Sequence, residues 1–250
     1  MDSASSLASS AITIQGRAVV LPLEVRDAKS MFAAFLVPSA AARQLFPATG
    51  IRLAEILPGR TIVSVAAIEH LDNDLGRYDE VAVSFPVTLG RRERWPLVGV
   101  ASDFASQRSA IYIHHMPVTT PFSCAAGREI WGLPKVVAEV SYADSRDRRT
   151  VRLTVEGRHA LALTVRRGGS WSFQDASFAA IAIRDGRAWK TPDTASGDGV
   201  AVGLGGAEIE LGEHPIGAEL AALGLPKRAI FSGWIERLRA RFLGPTLLDT

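Results

Sequence analysis

The residue of this sequence best suited to covalent chemistry is Lys135, which stands in a largely apolar stretch. It ends the run GREIWGLPK at 127–135 and is followed by two valines. In water a lysine amine has a pKa of ~10.4 and is protonated at neutral pH, but apolar burial can lower that pKa by several units. A neutral amine attacks a carbonyl carbon, and the iminium that forms withdraws electrons from the neighbouring carbon–carbon bond. The sequence therefore predicts that Lys135 forms a Schiff base with a small oxo acid.

The residues before Lys135 predict a helix that ends just ahead of it. Thr120 is suited to the N-cap of this helix and Pro121 to its first position. Gly132 is suited to closing the helix, and Pro134 prevents it from resuming. We therefore expect Lys135 to leave a helix end and enter a strand.

Most of the remaining chain predicts short β-strands. Apolar and polar residues alternate over Thr150–Glu156, and the turns that follow predict a three-strand meander with Ala160–Arg166 and Trp171–Phe173. Similar runs are Ala18–Val25, Thr61–Ile68, Val81–Val87, Pro96–Ser102, Ile111–His114, Val136–Tyr142, Glu208–Leu211 and Ala229–Phe242. Two further helices are predicted, at Ala40–Phe46 with Ser39 as cap and at Ile216–Leu223. The pattern indicates an α+β, mostly β fold, an antiparallel β-barrel or cone that encloses a cavity, with a few helices outside.

Composition favours one globular domain and excludes several partners. The 250 residues are 47% hydrophobic and 22% charged, which predicts a single domain over residues 11–250 after a disordered start at 1–10. The net charge of +2 is spread along the chain, without the basic stripe of a nucleic-acid-binding protein. No apolar run approaches the ~20 residues of a spanning helix, and we see no signal-peptide pattern, so we expect a cytoplasmic protein without membrane contact. The single cysteine, Cys124, excludes an internal disulfide.

Two segments resemble those of a known family. GREIWGLPK resembles the active-site signature of the acetoacetate decarboxylase family, in which a helix end and a Leu-Pro-Lys step present a Schiff-base lysine. DLGRYDEV at 74–81 is similar to the family's Gly-x-Tyr-x-Glu segment. The resemblance implies a barrel-like β fold with an enclosed cavity and a homo-oligomer. It also implies that Lys135 is the nucleophile, Glu80 a cavity carboxylate and Glu129 the glutamate of the signature, which we expect to bind the substrate at the cavity.

Three positions depart from the family pattern. The family usually has a second lysine directly after the nucleophile, where this chain has Val136. The family's substrate-facing arginine and second glutamate correspond to Leu36 and Val65, while a shifted register uses Arg43 or Glu69 instead. We therefore expect a substrate cavity that is lined by Leu36 and Val65 and has fewer polar groups, which weakens the case for acetoacetate itself as substrate.

Other side chains are expected to line the cavity without a metal. Trp131 and Leu133 flank the amine in sequence, and His114 is the histidine expected at the cavity. His114 and His115 are adjacent on a predicted strand, so their side chains should point to opposite faces and not chelate one metal together. The glycine-rich run at 203–206 is expected to be a turn rather than a dinucleotide loop.

Two reactions stay open for the expected iminium. One is decarboxylation of an oxo acid, and the other is aldol condensation of pyruvate with an aldehyde followed by dehydration, as in members of the wider superfamily. Tyr78 and Glu80 suit the second, because a phenol and a carboxyl group can carry protons to and from an aldol hydroxyl. Either would make the chain a metal-independent lyase without an organic cofactor, since the lysine supplies the electron sink. The alternative is a non-catalytic barrel that binds a small molecule.

Overall fold

The computed structural model describes residues 10–46, 51–89 and 109–248. The strands are β1 (Ser10–Ile14), β2 (Arg17–Leu21), β3 (Leu23–Pro38), β4 (Arg52–Leu53), β5 (Arg60–Asn73), β6 (Tyr78–Thr88), β7 (Ser109–Val118), β8 (Lys135–Val137), β9 (Glu139–Asp144), β10 (Arg148–Val155), β11 (Arg158–Arg166), β12 (Trp171–Arg184), β13 (Arg187–Leu204), β14 (Ala207–Leu211), β15 (Phe231–Phe242) and β16 (Thr246–Leu247). The helices are α1 (Ser39–Arg43), α2 (Pro121–Trp131) and α3 (Pro215–Ala222).

Seven of these strands close into a barrel. Their order is β6-β5-β3-β15-β13-β12-β7, and β7 pairs back with β6. All neighbours in the ring are antiparallel except β12 and β7, which pair in parallel over a short stretch. Strand β8 adds to β7 in parallel and brings Lys135 opposite Met116. The predicted fold, mostly β with a closed barrel and few helices, is confirmed.

A second sheet distinguishes the two faces of the barrel wall. Its four strands, β14-β11-β10-β9, share one hydrophobic core with Val65, Val83 and Phe85 of the barrel. A barrel of this size has room inside only for side chains or a small ligand, so the second sheet lies on the outer face. Residues an odd number of positions away along each strand, such as Ile68 from Val65 and Glu80 from Val83, therefore belong to the inner face.

Helix α2 and the β1–β2 hairpin cover one end of the barrel. They share a second hydrophobic core with Val25, Tyr78, Met116 and Ala240. These residues lie where β3 and β6 begin and where β7 and β15 end, which is the same end of an antiparallel barrel. Lys135 follows α2 and therefore enters the barrel at this covered end.

The helix before Lys135 has the predicted caps. The Thr120 side chain accepts a hydrogen bond from the backbone N–H of Ser123 at 3.2 Å, and Gly132 ends the helix with φ of 68°. The other two helices differ from the prediction at their starts. Helix α1 contains Ser39, with Pro38 at the N-cap and no side-chain cap, and α3 begins after His214.

The predicted three-strand meander is wrong in its third strand. Strand β11 pairs with β10 on one side but with β14 on the other, while β12 joins β13 in the barrel. The turn between β11 and β12 therefore carries the chain from the outer sheet to the barrel. Gly169 makes this passage possible, since a Cβ there would lie 2.2 Å from the carbonyl oxygen of Val200.

Other strand predictions are partly correct. The run predicted at Ala18–Val25 is divided between β2 and β3, and the run at 203–206 begins as the end of β13 rather than as a turn. The strand predicted at Pro96–Ser102 and the start predicted to be disordered at 1–10, except Ser10, lie outside the described residues. Within the described ranges, no helix is long and apolar enough to cross a membrane.

Asp193 on β13 makes folding stability depend on pH. Its side chain is 2% exposed, and burial raises its pKa to about 8. An aspartate in the unfolded chain has a pKa of ~3.9, so between about pH 4 and pH 8 the folded chain holds a proton that the unfolded chain releases. Stability should therefore fall as pH rises through this window, by up to about 1.4 kcal/mol per unit.

Replacing the carboxyl with an amide removes this dependence. We expect the free energy of unfolding of Asp193→Asn, relative to that of the unsubstituted chain, to increase as pH rises from 5 to 8. Urea unfolding at each pH measures this difference. Asp185→Asn is the control, because the Asp185 side chain is 89% exposed. A difference between Asp193→Asn and the unsubstituted chain that stays constant with pH would contradict the prediction.

Candidate active site

Lys135 is the buried cation at the covered end of the barrel. Its backbone N–H donates to the Leu133 carbonyl at 2.8 Å, and its side chain is only 4% exposed. Its Nζ donates to Oε2 of Glu80 at 3.1 Å, which forms a buried ion pair. Lys135 and Glu80, predicted from separate motifs, are therefore in direct contact.

A glycine in α2 makes room for the lysine side chain. A Cβ at Gly127 would lie 2.4 Å from Cδ and 2.7 Å from Cε of Lys135, so only glycine allows the stem to cross the helix there. Behind the stem, the Cys124 Sγ lies 3.4 Å from the Lys135 carbonyl oxygen. The glycine of the signature thus fixes the path of Lys135 toward Glu80.

Strands β5 and β6 place three polar side chains together on the inner face. Glu80 pairs with Ile68, and Tyr78 pairs with His70, so Glu80, Tyr78 and His70 are neighbours on adjacent strands. The His70 ring stacks on Tyr78 with centroids 4.3 Å apart, and its Nε2 lies 3.6 Å from Oε1 of Glu80. The Tyr78 ring centroid is 5.0 Å from Nζ of Lys135.

The site holds one ionised carboxylate and one protonated phenol. Burial by itself raises the pKa of Glu80, but the charge of Lys135 and the interaction with His70 lower it to about 2. Burial, followed by the negative charge of Glu80, raises the pKa of Tyr78 well above its ordinary value. At neutral pH Glu80 is therefore a negatively charged hydrogen-bond acceptor, and Tyr78 is a hydrogen-bond donor.

Three residues expected at the cavity lie elsewhere. Val65 points to the outer face and is fully buried against the second sheet, because it is an odd number of positions from Ile68 on the same regular strand. His114 also lies on the outer face, where its ring packs near Phe85. The Glu129 side chain is exposed on α2, away from the buried face that carries Gly127.

The other expected lining residues have different positions relative to the amine. Trp131 is buried beside the site, and its indole Nε1 donates to the Leu243 carbonyl at 2.9 Å. Leu133 packs on the same core and holds the turn into Lys135. Leu36 is on the inner face but six positions along β3 from the Ser30–Ile68 pair, which is about 20 Å at the rise of a strand.

His70 is the site residue that the sequence analysis missed. The strand predicted at Thr61–Ile68 ends two residues before His70, whereas β5 runs to Asn73. Continuing the alternation past Ile68 is the signal that would have placed His70 on the same face. Within the described part of the chain, neither of its ring nitrogens has a hydrogen-bond partner, and its side chain is 2% exposed.

Comparison with known sequences assigns the chain to a family. The sequence model of the family described as acetoacetate decarboxylase matches residues 12–246. The chain belongs to the acetoacetate decarboxylase family. No curated protein matches its sequence significantly. Membership confirms the resemblance drawn from the two motifs and makes the chain a homologue of enzymes of this family.

Solved structures share the fold at low sequence identity. An acetoacetate decarboxylase structure has a TM-score of 0.64 and 16% identity, over 91% of this chain and 89% of that one. The enduracididine biosynthesis enzyme MppR complexed with pyruvate has a TM-score of 0.62 and 14% identity, over 91% and 90%. An acetoacetate decarboxylase-like enzyme from Sphingomonas wittichii RW1 has a TM-score of 0.60 and 18% identity, over 95% and 98%.

Gly127 provides a test of how the lysine is positioned. Helix propensity alone predicts that Gly127→Ala stabilises α2 by up to about 1 kcal/mol. The contact with the Lys135 stem predicts the opposite, a loss of about 1–3 kcal/mol from overpacking. We expect the loss, measured as the free energy of unfolding in urea.

Gly203→Ala is the matched control, because a Cβ at Gly203 meets nothing within 4 Å. Its effect should stay within about 0.5 kcal/mol. A Gly127→Ala protein as stable as the unsubstituted chain would mean that the Lys135 stem does not need the space that glycine leaves.

Proposed function

We propose that the chain is a lyase that forms a Schiff base between Lys135 and a small oxo acid. The observation that carries this proposal is the buried Lys135 amine on the inner face, 3.1 Å from the Glu80 carboxylate. A lysine that only covered apolar surface would keep its amine in water, whereas this one is 4% exposed. The chain's membership of the acetoacetate decarboxylase family supports the same chemistry.

Glu80 holds the amine in place and stabilises the positive charge that returns to its nitrogen later in the reaction. In the proposed reaction Nζ of Lys135 first loses a proton to solvent, because a carboxylate with a pKa of about 2 is too weak a base to take it, and the neutral amine then attacks the keto carbon of the substrate. The carbinolamine that results loses water and becomes an iminium, whose positive nitrogen is stabilised by the negative charge of Glu80. A carbon–carbon bond next to the iminium carbon can then break, or a proton can leave to give the enamine.

Tyr78 and His70 supply the remaining polar contacts. The Tyr78 phenol stays protonated and can donate to the oxygen that leaves as water during iminium formation. His70 is buried with both ring nitrogens unpaired in the described residues, and such groups are costly unless a partner arrives. We assign that partner to the carboxylate or hydroxyl of the substrate. His70 would then take the role expected of an arginine in the family.

Two reactions fit this constellation. Decarboxylation needs the iminium as electron sink, and aldol condensation with dehydration needs in addition groups that pass protons to and from the aldol hydroxyl, for which Tyr78 and Glu80 are the proposed residues. Structural neighbours support both, since one is an acetoacetate decarboxylase and another, MppR, binds the condensation product of pyruvate and imidazole 4-carboxaldehyde. The homo-oligomeric state implied by the family and the cytoplasmic location stay predictions.

Borohydride trapping tests the Schiff base directly. We expect a reduced adduct on the intact protein after incubation with pyruvate or acetoacetate and borohydride, detected by mass spectrometry. The adduct should map to Lys135 in a peptide digest. Lys135→Arg should give none, because a guanidinium keeps the positive charge beside Glu80 but does not act as an amine nucleophile.

Lys190→Arg is the matched control and should label like the unsubstituted chain, since Lys190 pairs with Thr246 on β16 outside the site. The products then separate the reactions: released carbon dioxide indicates decarboxylation, and a longer unsaturated oxo acid indicates aldol condensation and dehydration. A folded protein that gives no adduct with any small oxo acid would favour the non-catalytic binding protein.

His70→Phe tests the proposed substrate contact. Phenylalanine keeps the flat ring that stacks on Tyr78 but removes both ring nitrogens. A hydrogen bond to a charged group contributes about 1.5–3 kcal/mol, so its loss corresponds to a rise of about 10–150-fold in KM for the oxo acid. Steady-state kinetics on the substrate identified by trapping measure this change, and an unaltered KM would remove His70 from substrate binding.

A further inference from the structure

Two adjacent histidines on β7 point to the same side of the barrel. Residue pairing between β6 and β7 runs from Val83 opposite His115 to Ser84 opposite Ile113, so β7 has one extra residue, His114. Such a β-bulge interrupts the alternation of side chains. Ile113 belongs to the inner core, while the ring of His114 packs near Phe85 and Tyr112 of the outer core. The prediction that His114 and His115 point to opposite faces is therefore wrong.

A carboxylate from α3 meets both rings. Oε2 of Glu219 lies 2.9 Å from Nε2 of His114 and 2.6 Å from Nε2 of His115. The ligand atoms of these three residues all lie within 4.8 Å of one another. The cluster is partly exposed, at 27% for the His115 side chain and 33% for that of Glu219, so an ion in solution can reach it.

We propose that His114, His115 and Glu219 form a binding site for a divalent transition metal ion of the zinc type. Two imidazoles and one carboxylate are a donor set that zinc commonly uses, with a fourth position left for water. The site bridges β7 and α3 on the outer face, whereas Lys135 is reached from the inner face. It does not depend on the proposed Schiff-base chemistry.

The distances fit an ion after a small movement. Donor atoms about 2.0–2.2 Å from a tetrahedral zinc ion are about 3.3 Å apart, so the carboxylate oxygen must withdraw by about half an ångström from each ring. Glu219 is on a helix surface and partly exposed, which allows this shift.

Binding of cobalt and zinc by the full chain tests the site. The protein, without a polyhistidine tag and after dialysis against a chelator, is titrated with Co²⁺ and followed by visible absorption and calorimetry. We expect one equivalent to bind, with the intense visible bands of a four-coordinate cobalt ion that disappear when Zn²⁺ is added. Bound Zn²⁺ should also raise the Tm, because the ion stabilises only the folded arrangement of β7 and α3.

Variants decide whether these residues hold the ion. Glu219→Gln and His115→Gln should each weaken binding about tenfold or more and abolish the rise in Tm. His159→Gln removes a histidine that contacts Arg152 elsewhere and should bind like the unsubstituted chain. Stoichiometric binding that survives Glu219→Gln and His115→Gln, or no binding of either metal by the folded unsubstituted chain, would overturn the proposal. Trapping at Lys135 in the same preparations reports separately on the Schiff base.

Discussion

A lysine held inside a barrel as a cation needs an anion beside it, and Glu80 is that anion. Moving either charge out of water alone costs several kcal/mol, so the pair is retained only if both side chains arrive at one point with good geometry. Lys135 comes from β8 after α2, and Glu80 comes from β6 of the closed ring. The contact between Lys135 and Glu80 therefore fixes where α2 packs against the end of the barrel.

The remaining features of the covered end follow from this constraint. Gly127 costs helix stability in the middle of α2, yet its missing side chain is the space through which the Lys135 stem passes. Gly132 then lets the chain reverse, and the Leu133 carbonyl receives the Lys135 N–H. The placement of the Lys135 amine thus explains why α2 contains a glycine that lowers its stability. Such local losses of stability are typical of functional sites.

Local patterns predicted the parts of the fold that depend on neighbouring residues. The caps of α2 and the pairing of β10 with β11 could be read from short motifs, because each depends on a few consecutive residues. Lys135 and Glu80 were named because two motifs resemble those of a family, but their contact was not predicted. Partners distant in sequence could not be read in this way. After β11 the chain leaves the outer sheet, because β11 pairs with β14 and β12 pairs with β13, and both of these partner strands come later in the sequence than the turn.

Strand β7 shows most clearly why the site was only partly predictable. Simple alternation back from Met116, which is on the inner face beside Lys135, places His114 on that face too. The bulge adds one residue and sends His114 to the outer face, and only the register against β6 reveals it. One strand therefore supports the lysine from inside and presents two histidines outside. The two histidines lie one and two residues before Met116, the partner of Lys135 on β8.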